Sequence, residues 1–252
     1  MMEIVHDTIR EDLGDEFPKL TIEVIGRRRA VLVRFGDPVT PGQADFTADV
    51  MTAIPHPSGR GLYIPNTKIA DQWDRADPVT HTRMVLQAID DTNVVFARVV
   101  RLLKHWIGTH SKPMCSWNIK ALCLDCLDEP MPLINALQVF FTHAADEVDM
   151  GPTPDPAGVA GPIPLNMPRA DVHKRLCTAR KHIDLAIEHE KGGRPLSAQH
   201  VLHQALPELV PDADGTQEEA DRLARTVRSG GTAATGLGLA TGLVTPTRAW
   251  GD

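Results

Sequence analysis

Aromatic residues are scarce in this sequence, and long apolar runs are absent. Phe, Trp and Tyr make up 4% of the 252 residues, so aliphatic side chains and Ala are expected to fill the core. No run of about 18 apolar residues occurs, and no membrane-spanning helix or membrane partner is expected. The acidic, amphipathic residues 1–16 are unlike a secretory signal peptide. These absences favour a cytoplasmic protein.

An excess of basic charge is also lacking. Asp and Glu outnumber Lys and Arg by 33 to 26, which gives a formal net charge of −7. Proteins that bind nucleic acid through their overall charge are usually basic. Strong nucleic-acid binding is therefore not expected, although a local basic pocket is compatible with this balance.

Cysteine is infrequent, and its spacing does not indicate a set of disulfide bonds. Among the four cysteines, Cys123 and Cys126 form a C-x-x-C within an apolar helical pattern. No second pair, and no His pair at zinc-ligand spacing, accompanies them. Two interpretations stay open: buried free thiols, which are favoured, and a metal or redox site. Free thiols agree with a reducing cytoplasm.

The predicted elements follow the order helix, strands, helices, which indicates an α+β fold. Strands are predicted over 20–25, 29–35 and 44–54, with a hairpin turn at 26–28 and a loop over 55–65. Helices are predicted over 2–13, from Asp77 to about 106 with a break at 90–93, and over 116–127, 132–148, 169–191 and 195–206. The proline-rich residues 151–168 are predicted to be an irregular connector, and residues 229–244 a loose segment of simple composition.

Alternation along residues 44–54 places two aspartates on one face of a strand. Ala48 and Val50 fall on one face, and Asp45 and Asp49 fall on the other. A face that carries carboxylates suits a hard divalent cation such as Mg²⁺, which prefers oxygen ligands. On the pattern alone, the alternative of a half-exposed strand with two solvated aspartates is favoured.

A local concentration of positive charge lies between residues 92 and 124, where no Asp or Glu occurs. Lys104 shares a helix face with Arg101 in this stretch. Ser116 begins the next predicted helix, where free backbone N–H groups can meet an anion. Lys104 and Ser116 thus form a candidate triphosphate site, with a solvated basic face and an ordinary helix cap as an equal alternative.

Four segments resemble one family in their order along the chain. They are FTADVMTAIP, GRGLYIPN, WDRADP and VVRLLKHWIGTHSKPMCSWNIKALCL. The sequence resembles the bacterial cyclic-oligonucleotide synthases, relatives of cyclic GMP-AMP synthase and oligoadenylate synthase among the polymerase-β-like nucleotidyltransferases. The resemblance runs from about residue 5 to about residue 210. Lys-x-Trp before a helix that begins with Ser is its most specific part, and Asp155-Pro156 fits more loosely.

The resemblance implies a partial palm sheet followed by a helical lobe. Residues 1–76 would be a remnant of the palm, 77–210 the helical nucleotide-binding lobe, and 211–252 a low-complexity C-terminal tail. In the family, palm carboxylates bind Mg²⁺, and a hydroxyl of one nucleotide attacks the α-phosphate of another. Nucleoside triphosphates are therefore the implied partners and Mg²⁺ the implied cofactor.

Three residues match positions with roles in the family, and a fourth lies near such a region. Asp49 resembles a catalytic carboxylate that binds the metal ions. Lys104 and Ser116 resemble the residues that contact the triphosphate. Tyr63 lies near the region that lines the base pocket.

The sequence departs from the family before the first predicted helix. Family members carry a Gly-Ser turn and then Asp-x-Asp or Glu-x-Asp, and neither precedes residues 2–13 here. With Asp49 as a lone carboxylate, the chain as given is expected to be inactive or nearly so, because two metal ions need several ligands. A shortened N-terminus and a naturally degenerate homologue both explain the departure.

Three functions stay open from the sequence. The first is a second-messenger synthase of antiviral signalling whose sequence is shortened. The second is a nucleotide-binding pseudoenzyme or regulatory protein that keeps Lys104 and Ser116. The third is a nucleotidyltransferase that modifies RNA or a small molecule, and the acidic net charge weakens it for RNA. No oligomeric state is predicted.

Overall fold

The computed structural model describes residues 2–24, 29–38, 40–68 and 73–228 of the chain. The chain divides into two compact units, Met1–Ile183 and Asp184–Asp252. The predicted α+β class is confirmed, because two antiparallel three-stranded sheets are followed by a series of helices. No helix among these residues is long and apolar enough to cross a membrane.

One helix, two sheets and then seven helices follow one another along the described residues. Helix α1 (Met2–Leu13) precedes a first sheet of β1 (Thr21–Glu23), β2 (Val31–Arg34) and β3 (Thr47–Val50). A second sheet contains β4 (Ile54–Pro55), β5 (Leu62–Pro65) and β6 (Trp73–Ala76). The helices that follow are α2 (Pro78–Asp91), α3 (Val95–Thr109), α4 (Ser116–Cys126), α5 (Leu133–Met150), α6 (Arg169–Lys191), α7 (Pro195–Ala205) and α8 (Gln217–Arg228).

Strand β2 is the buried centre of the first sheet. Its residues Val31, Leu32 and Val33 are all buried, as expected for a central strand covered on both faces. Helix α1 packs on β1 and β2. Strand β3 lies at the edge of the order β1-β2-β3 and pairs with β2, so that Asp49 lies opposite Leu32.

The second sheet corrects the prediction of a loop over residues 55–65. Strands β4 and β5 pair as a hairpin, and β6 pairs antiparallel with β5. The predicted strand over 44–54 also divides, since β3 ends at Val50 and Ile54 belongs to the second sheet. These strands are two to four residues long and are bounded by Pro and Gly, which are loop signals in a single sequence.

A helix cap and a proline determine where α2 begins, as predicted. The Asp77 carboxylate accepts the Thr80 N–H at 2.9 Å, and Pro78 occupies the first turn. The predicted break near residues 90–93 is confirmed, because α2 ends at Asp91 and α3 begins at Val95.

Helices α3, α4 and α5 pack against one another around the few aromatic side chains. Trp106, Phe140 and Phe141 are fully buried here, and the Trp106 and Phe141 rings meet edge to face with centroids 5.2 Å apart. The expectation that aliphatic residues fill the core is therefore only partly right. Within α6, the buried Val172, Leu176 and Ile183 follow the helical repeat.

The C-x-x-C motif contains free thiols, as the favoured interpretation predicted. Cys123 is buried and Cys126 is half-buried, and both are free. Burial raises the pKa of the Cys123 thiol well above its ordinary value and raises that of Cys126 to about 12. Both groups are therefore protonated near neutral pH, whereas redox cysteines have lowered pKa values.

The second unit contains the end of α6 together with α7 and α8, which pack on each other. The Gln217 side chain accepts the Leu196 N–H at 3.1 Å and joins the starts of α7 and α8. Helix α8 lies within the segment 211–252 that was assigned to a low-complexity tail, and no helix was predicted there. Residues 229–252, including the predicted loose segment, lie outside the described residues. The domain boundaries after residues 76 and 210 stay predictions.

Replacement of Asp77 by Ala is expected to lower the melting temperature in a pH-dependent manner. Hydrogen bonds from Thr80 hold the Asp77 pKa below its ordinary value. The cap therefore stabilises the fold above the unfolded-state pKa, and this contribution is lost as the pH falls through the folded-state pKa. Thermal melts should show a large gap between wild type and Asp77→Ala at about pH 7 and a small gap at about pH 2. A gap that is the same at both pH values would contradict this account.

Replacement of Val94 by Asn is expected to stabilise the protein by about 1 kcal/mol. Val94 has a φ of 69°, a left-handed conformation that is costly for a β-branched residue and easier for Asn. Val94 is 42% exposed, so little packing is lost. Urea unfolding measures the gain. As a control, Val79→Asn makes the same exchange at an exposed helical position and should give no gain.

Candidate functional site

Asp49 lies on an exposed face of the edge strand β3. Thr47 and Asp49 are exposed, whereas Ala48 and Val50 are half-buried, so the predicted alternation is present. Asp45 precedes the strand and accepts the Gly36 N–H at 2.9 Å. Asp45 thus closes the connection between β2 and β3, which is a structural role.

Lys104 lies on the solvent-facing side of α3. Leu103 and Trp106 on the same helix are fully buried in the core, while Arg101 and Lys104 are exposed. The predicted basic face is therefore present and accessible. Since α3 and α4 pack together, Lys104 and Ser116 belong to adjacent helices of the same unit.

Ser116 is the first residue of α4, but it is not the residue that caps the helix. Cys115 occupies the cap position, and its backbone N–H donates to Asn118 Oδ1 at 3.1 Å. This corrects the prediction that Ser116 caps the helix. Ser116 itself is exposed at the helix start, where the first backbone N–H groups have no partner within the helix. Such a terminus attracts anions.

A cavity of about 380 Å³ opens beside the start of α4. Its walls come from the second sheet, the starts of α2 and α4, and the connector before α6. The lining residues are Arg29, Ile64, Asp74, Arg75, His81, Trp117, Asp155, Ala160, Gly161, Pro162, Ile163 and Pro164. Trp117 follows Ser116 in α4, whereas neither Ser116 nor Lys104 is among the lining residues.

A buried carboxylate and an imidazole form one polar wall of this cavity. The Asp155 side chain is 2% exposed, and its Oδ2 accepts the N–H groups of Val159 and Ala160, both at 3.0 Å. His81 Nε2 lies 2.7 Å from Asp155 Oδ1, although the contact departs from hydrogen-bond geometry. It is a short polar contact between two buried atoms. The His81 ring also packs on Trp117 with centroids 4.5 Å apart.

Arginine residues also border the cavity. The Arg29 guanidinium donates to Asp74 Oδ2, with Nε at 2.7 Å, and Asn66 donates to the same oxygen at 2.8 Å. Arg75 is exposed and borders the same cavity, but it is the cross-strand partner of Tyr63, so its side chain lies on the other face of the sheet from Ile64 and Asp74. The cavity therefore combines an indole ring, a carboxylate with an imidazole, and a guanidinium. These groups suit a ligand with a flat heteroaromatic ring and anionic groups.

Tyr63 does not line this cavity. It lies on β5 next to Ile64, and neighbouring strand residues point to opposite faces. Ile64 lines the cavity, while the Tyr63 ring packs on His56 at a centroid distance of 4.6 Å. The nearby aromatic residue at the cavity is Trp117 instead.

Asp49 does not belong to a cluster of three or more possible metal ligands among the described residues. Across the described ranges, one group of three or more His, Cys, Asp and Glu side chains is close enough to share an ion, and Asp49 is not a member of it. Asp49 is thus a single exposed carboxylate, and the two-metal arrangement of the family needs more. The roles of Asp49, Lys104 and Ser116 stay predictions.

Solved structures with a similar backbone identify the fold. Escherichia coli DncV bound to 3'-deoxy GTP has a TM-score of 0.60 and is 13% identical, over 84% of this chain and 58% of that chain. Vibrio cholerae DncV bound to GTP has a TM-score of 0.58 and 15% identity, over 84% and 57%. The same V. cholerae enzyme, a cyclic AMP-GMP synthase, in complex with the linear intermediate 5' pppA(3',5')pG has a TM-score of 0.59 and 15% identity, over 86% and 59%.

This chain has a DncV-like nucleotidyltransferase fold. The family resemblance of the sequence is therefore confirmed at the level of the fold. The chain spans less than 60% of the length of these DncV structures. No protein-family model and no curated protein sequence matches it.

Sequence reasoning missed two of the cavity residues in the DncV-like fold. His81 and Trp117 lie within segments that were assigned only helical roles, and nothing in the sequence pairs them. Asp155 was noticed as part of an Asp-Pro pair, without a function. A polar residue in a proline-rich connector is the one local signal that marks it, since such loops often carry functional groups.

Replacement of Asp155 by Ala is expected to destabilise the protein by about 3 kcal/mol. The change leaves the Val159 and Ala160 N–H groups unpaired and removes the partner of His81. Asp155→Asn keeps a carbonyl oxygen as an acceptor and should cost clearly less. Urea unfolding of both variants measures the difference. Equal losses would show that the hydrogen bonds to the connector are not the main contribution.

Proposed function

We propose that this chain binds nucleoside triphosphates as part of a nucleotidyltransferase related to the cyclic-oligonucleotide synthases. In that reaction a hydroxyl of one nucleotide attacks the α-phosphate of another, and pyrophosphate leaves. Within the family the product is a second messenger of antiviral signalling. The cavity beside Ser116, in a chain with a DncV-like fold, is the observation that carries the proposal.

The ligands of the similar structures support this substrate class. E. coli DncV was solved with 3'-deoxy GTP, and V. cholerae DncV with GTP and with a linear dinucleotide intermediate. All are anionic nucleotides with a flat base. The lining of the cavity matches both properties, because Trp117 offers a stacking surface and Arg29 a guanidinium.

Each predicted contact has a specific task in this proposal. Trp117 stacks on the base, and the His81 ring, which packs on Trp117, holds the indole in place. Lys104 binds the triphosphate as a mobile point charge, since its side chain is exposed at the end of a flexible stem. Ser116 adds its hydroxyl and the positive end of the α4 dipole.

In this proposal Asp49 supplies one of the carboxylates that bind Mg²⁺. Bound Mg²⁺ would neutralise charge on the transferring phosphoryl group. Among the described residues Asp49 belongs to no cluster of three possible metal ligands, and this observation also favours a second function, which is nucleotide binding without turnover. We therefore expect the purified 252-residue chain to bind nucleotide and to synthesise little or no oligonucleotide.

Replacement of Lys104 by Ala is expected to weaken ATP and GTP binding at least about tenfold. A hydrogen bond between a charged group and a phosphate contributes roughly 1.5–3 kcal/mol. Isothermal titration calorimetry in the presence of Mg²⁺ measures the change. Ser116→Ala should weaken binding less, and Asp49→Asn should leave the affinity within about twofold, because one carboxylate holds a hydrated metal weakly.

Arg98→Ala provides the matched control. Arg98 is an exposed cation on α3 that lies on a different face from Lys104. If binding depends on a specific phosphate contact, Arg98→Ala keeps the wild-type affinity. Equal weakening by Arg98→Ala and Lys104→Ala would show that only the general charge of the helix matters. The absence of binding to the unaltered chain would reject the proposed function.

A further inference from the structure

Three potential metal ligands from two helices meet at the far end of α4. Asp125 lies in the last turn of α4, and His143 and Glu147 lie on α5. Their ligand atoms all lie within 4.8 Å of one another. This separation agrees with ligands about 2 Å from a shared cation.

The backbone explains why these residues converge. His143 and Glu147 are four residues apart on α5 and share one face of the helix. Helix α4 packs against α5, which brings Asp125 opposite that face. Asp125 is nine residues after Ser116, a distance of about 13 Å along the helix axis. The cluster is thus separate from the cavity beside Ser116 and does not depend on the proposed nucleotide site.

The ring nitrogen of His143 lacks a regular hydrogen bond within the described part of the chain. Its Nε2 atom is buried and lies 2.9 Å from Asp125 Oδ2, but the contact departs from hydrogen-bond geometry. The short distance brings an imidazole nitrogen and a carboxylate oxygen to the separation expected of two ligands on one ion. A cation bound between the three ligand atoms would be shared by this nitrogen and by both carboxylates. Neutral imidazole is a common ligand for such cations.

The surroundings of the cluster provide access and a favourable charge. A cavity of about 130 Å³ adjoins it, lined in part by Asp125, Glu147 and Thr153, and has room for water molecules at open coordination positions. The two carboxylates carry the charge that compensates a divalent cation. The C-terminal end of α4 adds the negative end of the helix dipole, which also favours a cation.

We propose that Asp125, His143 and Glu147 bind a divalent transition-metal ion of the zinc class. One imidazole nitrogen and two carboxylate oxygens suit Zn²⁺ and similar ions, whereas Mg²⁺ and Ca²⁺ prefer oxygen ligands alone. Three protein ligands leave a position for water on the side of the cavity. The bound ion joins the end of α4 to α5. Its site is distinct from any Mg²⁺ site at Asp49.

Calorimetric titration of the full chain with Zn²⁺, after chelator treatment, tests the site. Wild type is expected to bind one ion that is lost or weakened at least about tenfold in His143→Gln and in Glu147→Gln. Zn²⁺ should also raise the melting temperature of wild type and not that of either variant. Circular dichroism confirms that the variants are folded. Glu147→Gln is a second test of the site, because it removes the carboxylate charge and keeps the size of the side chain.

Two control variants test the specificity of the site. His200→Gln removes an exposed histidine that lies 2.7 Å from Asp212 in a His–Asp pair. Asp128→Asn removes an exposed carboxylate close to Asp125 in sequence. Both should bind Zn²⁺ as wild type does. The proposal is overturned if wild type binds no Zn²⁺, or if the control variants weaken binding as much as His143→Gln.

The visible and near-ultraviolet spectra of the Co²⁺-loaded chain identify the ligand type. Nitrogen and oxygen ligands give visible bands without a sulfur charge-transfer band. We expect this spectrum in wild type and its loss in His143→Gln. A charge-transfer band that disappears in Cys126→Ser would assign the ion to the neighbouring thiol and would overturn the proposal.

Discussion

The buried amide of Asn118 holds the connector before α6 against the start of α4. Asn118 is fully buried, so both ends of its amide need partners. Its Oδ1 accepts the Cys115 N–H at 3.1 Å, and its Nδ2 donates to Thr153 Oγ1 and to the Ile163 carbonyl, both at 3.3 Å. The Asn118 side chain therefore binds the backbone at the start of α4 and also holds the connector before α6 in place. Both of these segments form part of the cavity wall.

Asp155 attaches the same connector to α2. Its carboxylate orders the turn at Val159 and Ala160 and contacts His81 near the start of that helix. These polar groups are buried, so each must be paired with a donor or acceptor of the protein. Any other conformation of the connector would leave some of them unpaired. The shape of the cavity is thus determined by a small polar network, whereas the helical core below it is determined by the packing of Trp106, Phe140 and Phe141.

Helix α4 separates two regions of opposite electrostatic character. Its N-terminal residue, Ser116, is exposed, and the preceding helix α3 contains no acidic residue. Its C-terminal end carries the cluster of Asp125, His143 and Glu147. The dipole of the helix is favourable at both ends, since anions are stabilised at the N-terminus and cations at the C-terminus. An acidic protein can therefore present a basic surface at one end of this helix while it concentrates carboxylates at the other.

Periodicity, helix caps and prolines in the sequence determined most of the helices. Helix α6 has the predicted bounds, and Asp77 marked the start of α2, because both signals act between residues within one helical turn. The resemblance of four segments also led to the fold, and it assigned candidate roles to Asp49, Lys104 and Ser116. The short strands of the second sheet escaped prediction, since Pro and Gly at their ends are the same residues that mark loops.

Only the tertiary structure brought together the residues that form the cavity and the cation cluster. His143 and Glu147 share a helix face, and this spacing is visible in the sequence. Their approach to Asp125 depends on how α4 packs against α5. In the same way, His81, Trp117 and Asp155 come from two helices and a connector far apart along the chain. The sequence by itself determined the local elements, because their signals lie within a few residues. Side chains that meet across elements depend on the packing of the whole core, which no local pattern contains.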